Sequence, residues 1–253
     1  MARAILSYLH NTPTLPTINT IISPDDLNSL YQVWKESTTT SPSGLQLGRD
    51  KGPLQYSDNT DIGNIQRRII KIKSQFINLA LKNNIIYERW KSINTVMIEK
   101  QPNLYHIEKL RALHLFESDL NGILGILWGR RLMIQAEYHN ILHDSQHGSR
   151  NGRSTDTLLL TKHLTYSIWR LTHTNGMTFD NDAKSYHDRI VMNVALLASQ
   201  HLGMPQSICD WYQQVFNNAQ YHIHTSYVSF RTILHSYDSI SFAWPRTGQP
   251  SGS

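Results

Sequence analysis

Phe179-Asp180-Asn181-Asp182-Ala183-Lys184-Ser185-Tyr186-His187-Asp188-Arg189-Ile190 is the stretch around which the chain is organised. Asn175-Gly176 precedes it, and an apolar helical run from about Ile190 to Leu202 follows. The pattern predicts a short strand that carries acids to a sheet edge and then feeds a helix. Successive strand side chains point to opposite faces, so Asp180 and Asp182 would share one. Two carboxylates on one face repel unless solvent or a cation separates them, and hard cations such as Mg²⁺ take such oxygens. Ser185, with Asp188 three residues on, has the capping-box spacing of a helix start. On these residues alone, a solvated turn and a metal site both stand.

Composition sets wider bounds. The 253 residues allow one large domain or two small ones, and 40% hydrophobic residues suffice for a core. With 17% charged residues this is not a disordered acidic or basic tail. A net charge of +5 permits a polyanionic partner and equally suits an ordinary mildly basic globular protein. The single cysteine, Cys209, excludes an internal disulfide and a cysteine-based zinc site. Apolar runs such as Val194-Ala195-Leu196-Leu197-Ala198 are too short to span a bilayer, and the N-terminus lacks a signal-peptide core. The expectation is a soluble intracellular chain with no membrane partner.

Along the chain, Pro13, Pro16 and Pro24 predict a loosely held lead-in over residues 1 to about 28. Asp25-Asp26 marks a helix N-terminus, with Leu27, Leu30, Tyr31 and Trp34 in a short helix over 27–36. Ser41-Pro42-Ser43-Gly44 reads as a turn, with Arg49 and Lys51 beyond it. From Asn64 to about Glu88, Ile65, Ile69, Ile72, Phe76 and Leu79 recur at helical spacing. That predicts an amphipathic helix with this stripe in the core and Arg67, Arg68, Lys71, Lys73 and Lys82 on a solvated face, in preference to a direct nucleic-acid contact.

The period then changes to two. Asn94–Lys100 and Lys109–Leu115 predict strands joined across Pro102-Asn103, a hairpin whose basic residues are Lys100, Lys109 and Arg111. Such cations could clamp a triphosphate, or only keep an edge from aggregating. A helix with Ile123, Leu127 and Trp128 comes next, and His139 and His143 fall one helical turn apart, a spacing that suits a metal or two ordinary histidines. In Gln146-His147-Gly148-Ser149-Arg150-Asn151-Gly152-Arg153-Ser154-Thr155, two arginines precede a helix capped by Ser154 or Thr155. A helix N-terminus beside two arginines is a phosphate seat, and the polyanion reading is favoured there. Helices ending at Gly203 and over 206–218 lead to a strand over 219–230, with His222 and His224 on one face.

Taken in order, these segments resemble reverse transcriptases of non-LTR-like retroelements. Asp182-x-x-x-x-x-Asp188-Arg189 is similar to motif A, and the Ser-Pro-Ser-Gly stretch to a segment ahead of the fingers. Lys100 and Arg111 match the basic residues of the two fingers motifs, and Gln146 to Ser154 matches the segment between fingers and palm. Gln249 matches the glutamine of motif B.

The resemblance implies an α+β fold: right-hand polymerase-like fingers with the basic hairpin, and an incomplete palm sheet packed on helices, truncated before motif C and the thumb. Residues 1–33 would form the lead-in and short helix, 34–175 the fingers-like region and 176–253 the partial palm. It also implies nucleotidyl transfer with Mg²⁺ on Asp182 and the Ala183 carbonyl, Asp182 being catalytic. Lys100, Arg111, His187 and Gln249 would meet the nucleotide; Gln146, Arg150 and Arg153 would meet nucleic acid. The partners would be an RNA template, a DNA primer and a dNTP. Departures accompany the match: His187 stands at the aromatic position that screens the sugar, His147 replaces another aromatic, and Arg246 and Pro250 stand where glycines are usual. The aromatic-x-Asp-Asp motif is missing, since the only adjacent Asp pair is Asp25-Asp26. The expected protein is therefore a polymerase fragment inactive alone, or a degenerate remnant that binds nucleic acid weakly or not at all.

Overall fold

The computed structural model describes Ser7, residues 14–33, 42–44, 61–100, His106, and residues 110–148, 150–178, 190–224 and 229–233. The fold is α+β and divides into two compact units. One comprises Met1–Thr20 and Leu124–Cys209, the other Ile21–Ile123 and Asp210–Ser253.

The second unit begins with helix α1, Pro24–Val33. Ser23 caps it: its hydroxyl accepts from the Asp26 N–H at 3.1 Å, and its own N–H donates to Asp26 Oδ2 at 2.8 Å. Pro24 in the first turn costs nothing, because the N–H it lacks would have had no helical partner. Helix α2, Asp61–Lys82, follows. It stops short of Glu88 because Asn84 turns left-handed at φ 55° and the Ile85 N–H closes on the Ala80 carbonyl at 2.9 Å.

The face α2 buries is not the expected one. Ile65, Ile69, Ile72, Phe76 and Leu79 are 45–57% exposed, whereas Ile70, Ser74, Ile77 and Leu81 are buried. A helix with two apolar stripes can bury either, and hydrogen bonding selects here. Ser74 Oγ and Asn78 Nδ2 donate to the Ile22 carbonyl at 2.7 and 2.8 Å, and the Ile22 N–H donates to Asn78 Oδ1 at 2.8 Å. Those bonds satisfy an extended backbone segment that would otherwise lie buried without partners. They also correct the reading of a loosely held lead-in: Leu15, Ile18 and Ile22 are all core residues.

A 3₁₀ turn, Glu88–Lys91, leads into β1, Ser92–Glu99, which pairs antiparallel with β2, Leu110–Leu115. The predicted hairpin is therefore present. On its other edge β1 pairs parallel with β3, Gln220–His224, and β3 pairs antiparallel with β4, Ser229–Ile233, giving the order β2-β1-β3-β4. The hairpin and the strand expected in a separate palm thus share one sheet, and the strand expected over 219–230 resolves into β3 and the start of β4. The sheet's inward face carries Ile93 and Thr95, both buried, with Thr95 Oγ1 2.9 Å from His114 Nδ1.

After β2, helix α3, Ser118–Leu124, runs into a π-helical stretch, Gly125–Leu132, and then α4, Met133–Tyr138. The core of the second unit centres on Trp90, whose ring meets Trp211 edge-on at 5.6 Å and Tyr87 at 4.6 Å. The Trp90 indole N–H donates to Asp119 Oδ1 at 3.0 Å, and Arg89 Nη2 donates to Asp119 Oδ2. Trp211 donates in turn to the Ile85 carbonyl at 3.0 Å.

In the first unit, α5 spans Thr155–Thr172 and α6 Met192–His201; α7, Gln206–Asn217, has its first turn in this unit and the rest, from Asp210, in the second. The extended residues 14–20 are pinned to this unit, Leu15 N–H to the His201 carbonyl and Ile18 N–H to the Gly203 carbonyl, both at 2.9 Å. Gly203 ends α6 at φ +98°, against the Pro16 carbonyl, where a Cβ would collide with backbone. His139 and His143 do not share a helix: α4 ends at Tyr138, and Asn140 at φ 53° turns the chain away.

Two substitutions test this packing. Asp119→Ala strands the buried Trp90 N–H and should lower unfolding free energy in urea by about 1–3 kcal/mol, with Asp119→Asn milder because its amide oxygen still accepts. Gly203→Ala combines left-handed strain of about 1–2 kcal/mol with a backbone clash, and a wild-type midpoint in the same titration would refute that account.

Candidate nucleic-acid interface

The basic end of the hairpin follows from strand register. Ile98 lies opposite Arg111 and Glu99 opposite Leu110, so Arg111 sits one residue inside the end of β2. Lys100 is the residue just past β1, so both cations come to the same end of the hairpin, and both are exposed. Alternation puts Arg111 on the sheet face of Ile98, Val96 and Asn94, with His222 and His224 on that face of β3.

The other end of β2 carries a group the sequence reading passed over. Glu117 is buried at 1% exposure. Its carboxylate accepts from the Ser43 N–H at 2.7 Å and the Ser43 hydroxyl at 3.0 Å. Pro42 and Ser43 form the expected turn, and Gly44 takes φ 74° behind them. The Ser-Pro-Ser-Gly turn is thus tied to the foot of the hairpin by a buried acid 74 residues further along the chain.

In the first unit, the turn over 142–154 is built by its own arginines. Arg150 forms a two-pronged pair with Glu137, Nε to Oε1 and Nη2 to Oε2, each at 2.7 Å. Its remaining nitrogen donates to the His143 carbonyl at 2.8 Å, and its side chain is only 8% exposed. Arg153 spans the turn in the same way, donating to the Asp144 carbonyl at 2.7 Å and to Asp144 Oδ1 at 3.0 Å. Gln146 stays exposed and donates to the Gly148 carbonyl at 3.3 Å. Ser154 caps α5 in a capping box with Thr157. Both arginines therefore brace the loop, and Arg153 keeps the more open side chain of the two, at 31% exposure.

The hydrogen bonds from Arg150, reinforced by the charges of Arg150 and Arg153, hold the Glu137 carboxyl below its ordinary value, against burial and the nearby Asp144. Glu137 in return raises Arg150. A depressed carboxyl stabilises the fold above its unfolded value, 4.5, and that contribution disappears as pH falls through the lowered folded value.

Asp182, Ala183, His187 and Gln249 lie outside the described residues, as do the short acid-bearing strand expected there and the helix start marked by Ser185 and Asp188. Among the described residues no three His, Cys, Asp or Glu side chains gather as a metal site. The acid expected to hold Mg²⁺ is thus not placed, and no chemical step is derived through it. No described helix is long and apolar enough to cross a membrane. Neither protein-family models nor curated protein sequences yield a match to this chain.

The Glu137–Arg150 pair can be tested directly. Glu137→Gln should lower the thermal midpoint at neutral pH, and the gap from wild type should close as pH is taken below 4.5. A gap of constant size across that range would remove the ion pair from the account.

Proposed function

We propose that this chain is a reverse-transcriptase-like fragment that engages an RNA–DNA hybrid through its basic hairpin and does not extend a primer by itself. The observation that carries the reading is the register of β1 and β2, which brings Lys100 and Arg111 to the same exposed end of the hairpin. The Glu117–Ser43 tie adds support, since it couples the Ser-Pro-Ser-Gly segment to that same hairpin, two of the segments that carry the resemblance. A guanidinium fits phosphate oxygens two at a time and an ammonium meets them as a point charge, so the pair suits a nucleotide or nucleic-acid backbone. Polymerisation needs two metals clamped by acids from separate strands. This sequence holds Asp182 for one position but no aromatic-x-Asp-Asp for the others.

One observation favours a second reading, a degenerate remnant with little nucleic-acid affinity. Arg150, matched by the resemblance to a template-contacting residue, gives its donors to Glu137 and to loop carbonyls. Binding carried by the hairpin separates the two readings.

A labelled RNA–DNA hybrid should bind the purified chain with a steep salt dependence. Lys100→Ala/Arg111→Ala should weaken it and reduce the salt slope by about 2, close to one unit per lost phosphate contact. Primer extension with Mg²⁺ and dNTPs should give no product. Incorporation would overturn the first claim, and no binding at low salt would leave the remnant.

A further inference from the structure

The exposed stripe of α2 has the geometry of a helix-docking seam. Ile65, Ile69, Ile72, Phe76 and Leu79 are spaced four, three, four and three apart, the 3.5-residue repeat of a coiled-coil contact line. The stripe runs roughly 21 Å along the helix. None of the five is buried, although the opposite face of the same helix is packed into the core. Beside its middle opens a cavity of about 390 Å³, lined by Ile72, Phe76, Ile77 and Tyr87 together with charged residues of both signs, Glu88 and Arg89 among them. A large apolar side chain from a partner would fit there, as anchors of docked helices do.

The charges on α2 say what kind of partner. Between Ile62 and Lys82 the helix has no acidic residue, while Arg67, Arg68, Lys71 and Lys82 are exposed. In heptad terms Arg68 and Lys82 flank the seam on one side and Lys73, seated over the Tyr31 ring at 5.2 Å, on the other. A second copy of this chain would set these cations against their own kind, Arg68 facing Lys73 or Lys82, which disfavours a homodimer. A lipid surface would take the cations and the apolar residues, but it has no register to match a 3.5-residue repeat and no side chain to enter the cavity. Nucleic acid would leave the isoleucines without a role.

We propose that this seam receives one amphipathic helix of a different protein, with apolar residues along the contact line and Asp or Glu on the flanks. The inference does not depend on the polymerase reading, because it uses a face remote in sequence from Lys100 and Arg111.

The test uses the full chain and two synthetic helical peptides, each with Leu and Ile at the seam positions, one with Glu on the flanks and the other with Lys. Fluorescence anisotropy should show the Glu peptide binding at least about tenfold more tightly than the Lys peptide, with the difference shrinking in salt. Ile69→Glu and Phe76→Ser should each lower Glu-peptide affinity by about tenfold or more. Both positions are about half exposed, and circular dichroism would establish that the variants fold. Equal binding of the two peptides, binding of neither, or variants that bind like wild type would overturn the proposal. So would seam-dependent binding to phosphatidylserine vesicles without peptide binding, which would assign the face to a membrane. Concentration-dependent self-association abolished by the same variants would assign it to a second copy and overturn the proposal as well.

Discussion

Burying a carboxylate is tolerable only where donors surround its oxygens. Asp119 meets that condition by accepting from the Trp90 indole and the Arg89 guanidinium, and the rest of its unit is arranged around those bonds. Trp90 can be fully buried because its one polar atom is satisfied, and its ring then forms the platform on which Trp211 packs. The acid stands in the first turn of α3, where the helix dipole also favours a negative group. In this way the strand leaving Lys91, the helix after β2 and the ring from α7 converge on one side chain.

Glu117, two residues earlier, repeats the device with a different donor. Its partner is the Ser43 backbone and hydroxyl, so a turn far back in the chain is held at the foot of the hairpin. In the other unit a half-exposed carboxylate, Glu137, is likewise met by paired donors, those of Arg150. These acids share a structural use: each carboxylate closes a long-range or loop contact that the apolar residues could not specify alone. For Arg150 this changes the weight of the expected phosphate seat, because a guanidinium whose forks are filled by a carboxylate has little left to offer a phosphate. The hairpin's cations stand in the opposite situation, at an exposed end.

Several elements were legible in advance because they rest on local rules. Asp25-Asp26 and Ser154 marked helix starts, where acids and a capping hydroxyl answer backbone N–H groups within one turn. The change of period at residues 94–100 announced the hairpin, whose first strand runs Ser92–Glu99, and Gly203 marked the end of α6 because only glycine tolerates its φ at low cost. The helix stops at Asn84 and Asn140 escaped the reading. Asparagine visits the left-handed region without being confined to it, so its sequence signal is faint.

What the tertiary structure alone decided concerns faces, partners and neighbours. Periodicity found the apolar stripe of α2 but could not say which of two stripes is buried, since that rested on Ser74 and Asn78 reaching Ile22 across more than fifty residues. Nor could spacing reveal that β3 would lie parallel to β1, because strand partners are selected by contacts formed over long stretches of chain. The two arginines of the 146–155 segment were visible as a pair of charges; whether those charges are free or spent depended on Glu137 and Asp144 arriving beside them. Local backbone chemistry writes element type and ends into the chain at short range. Burial and charge pairing are relations between distant residues, and they become definite only when the chain has folded.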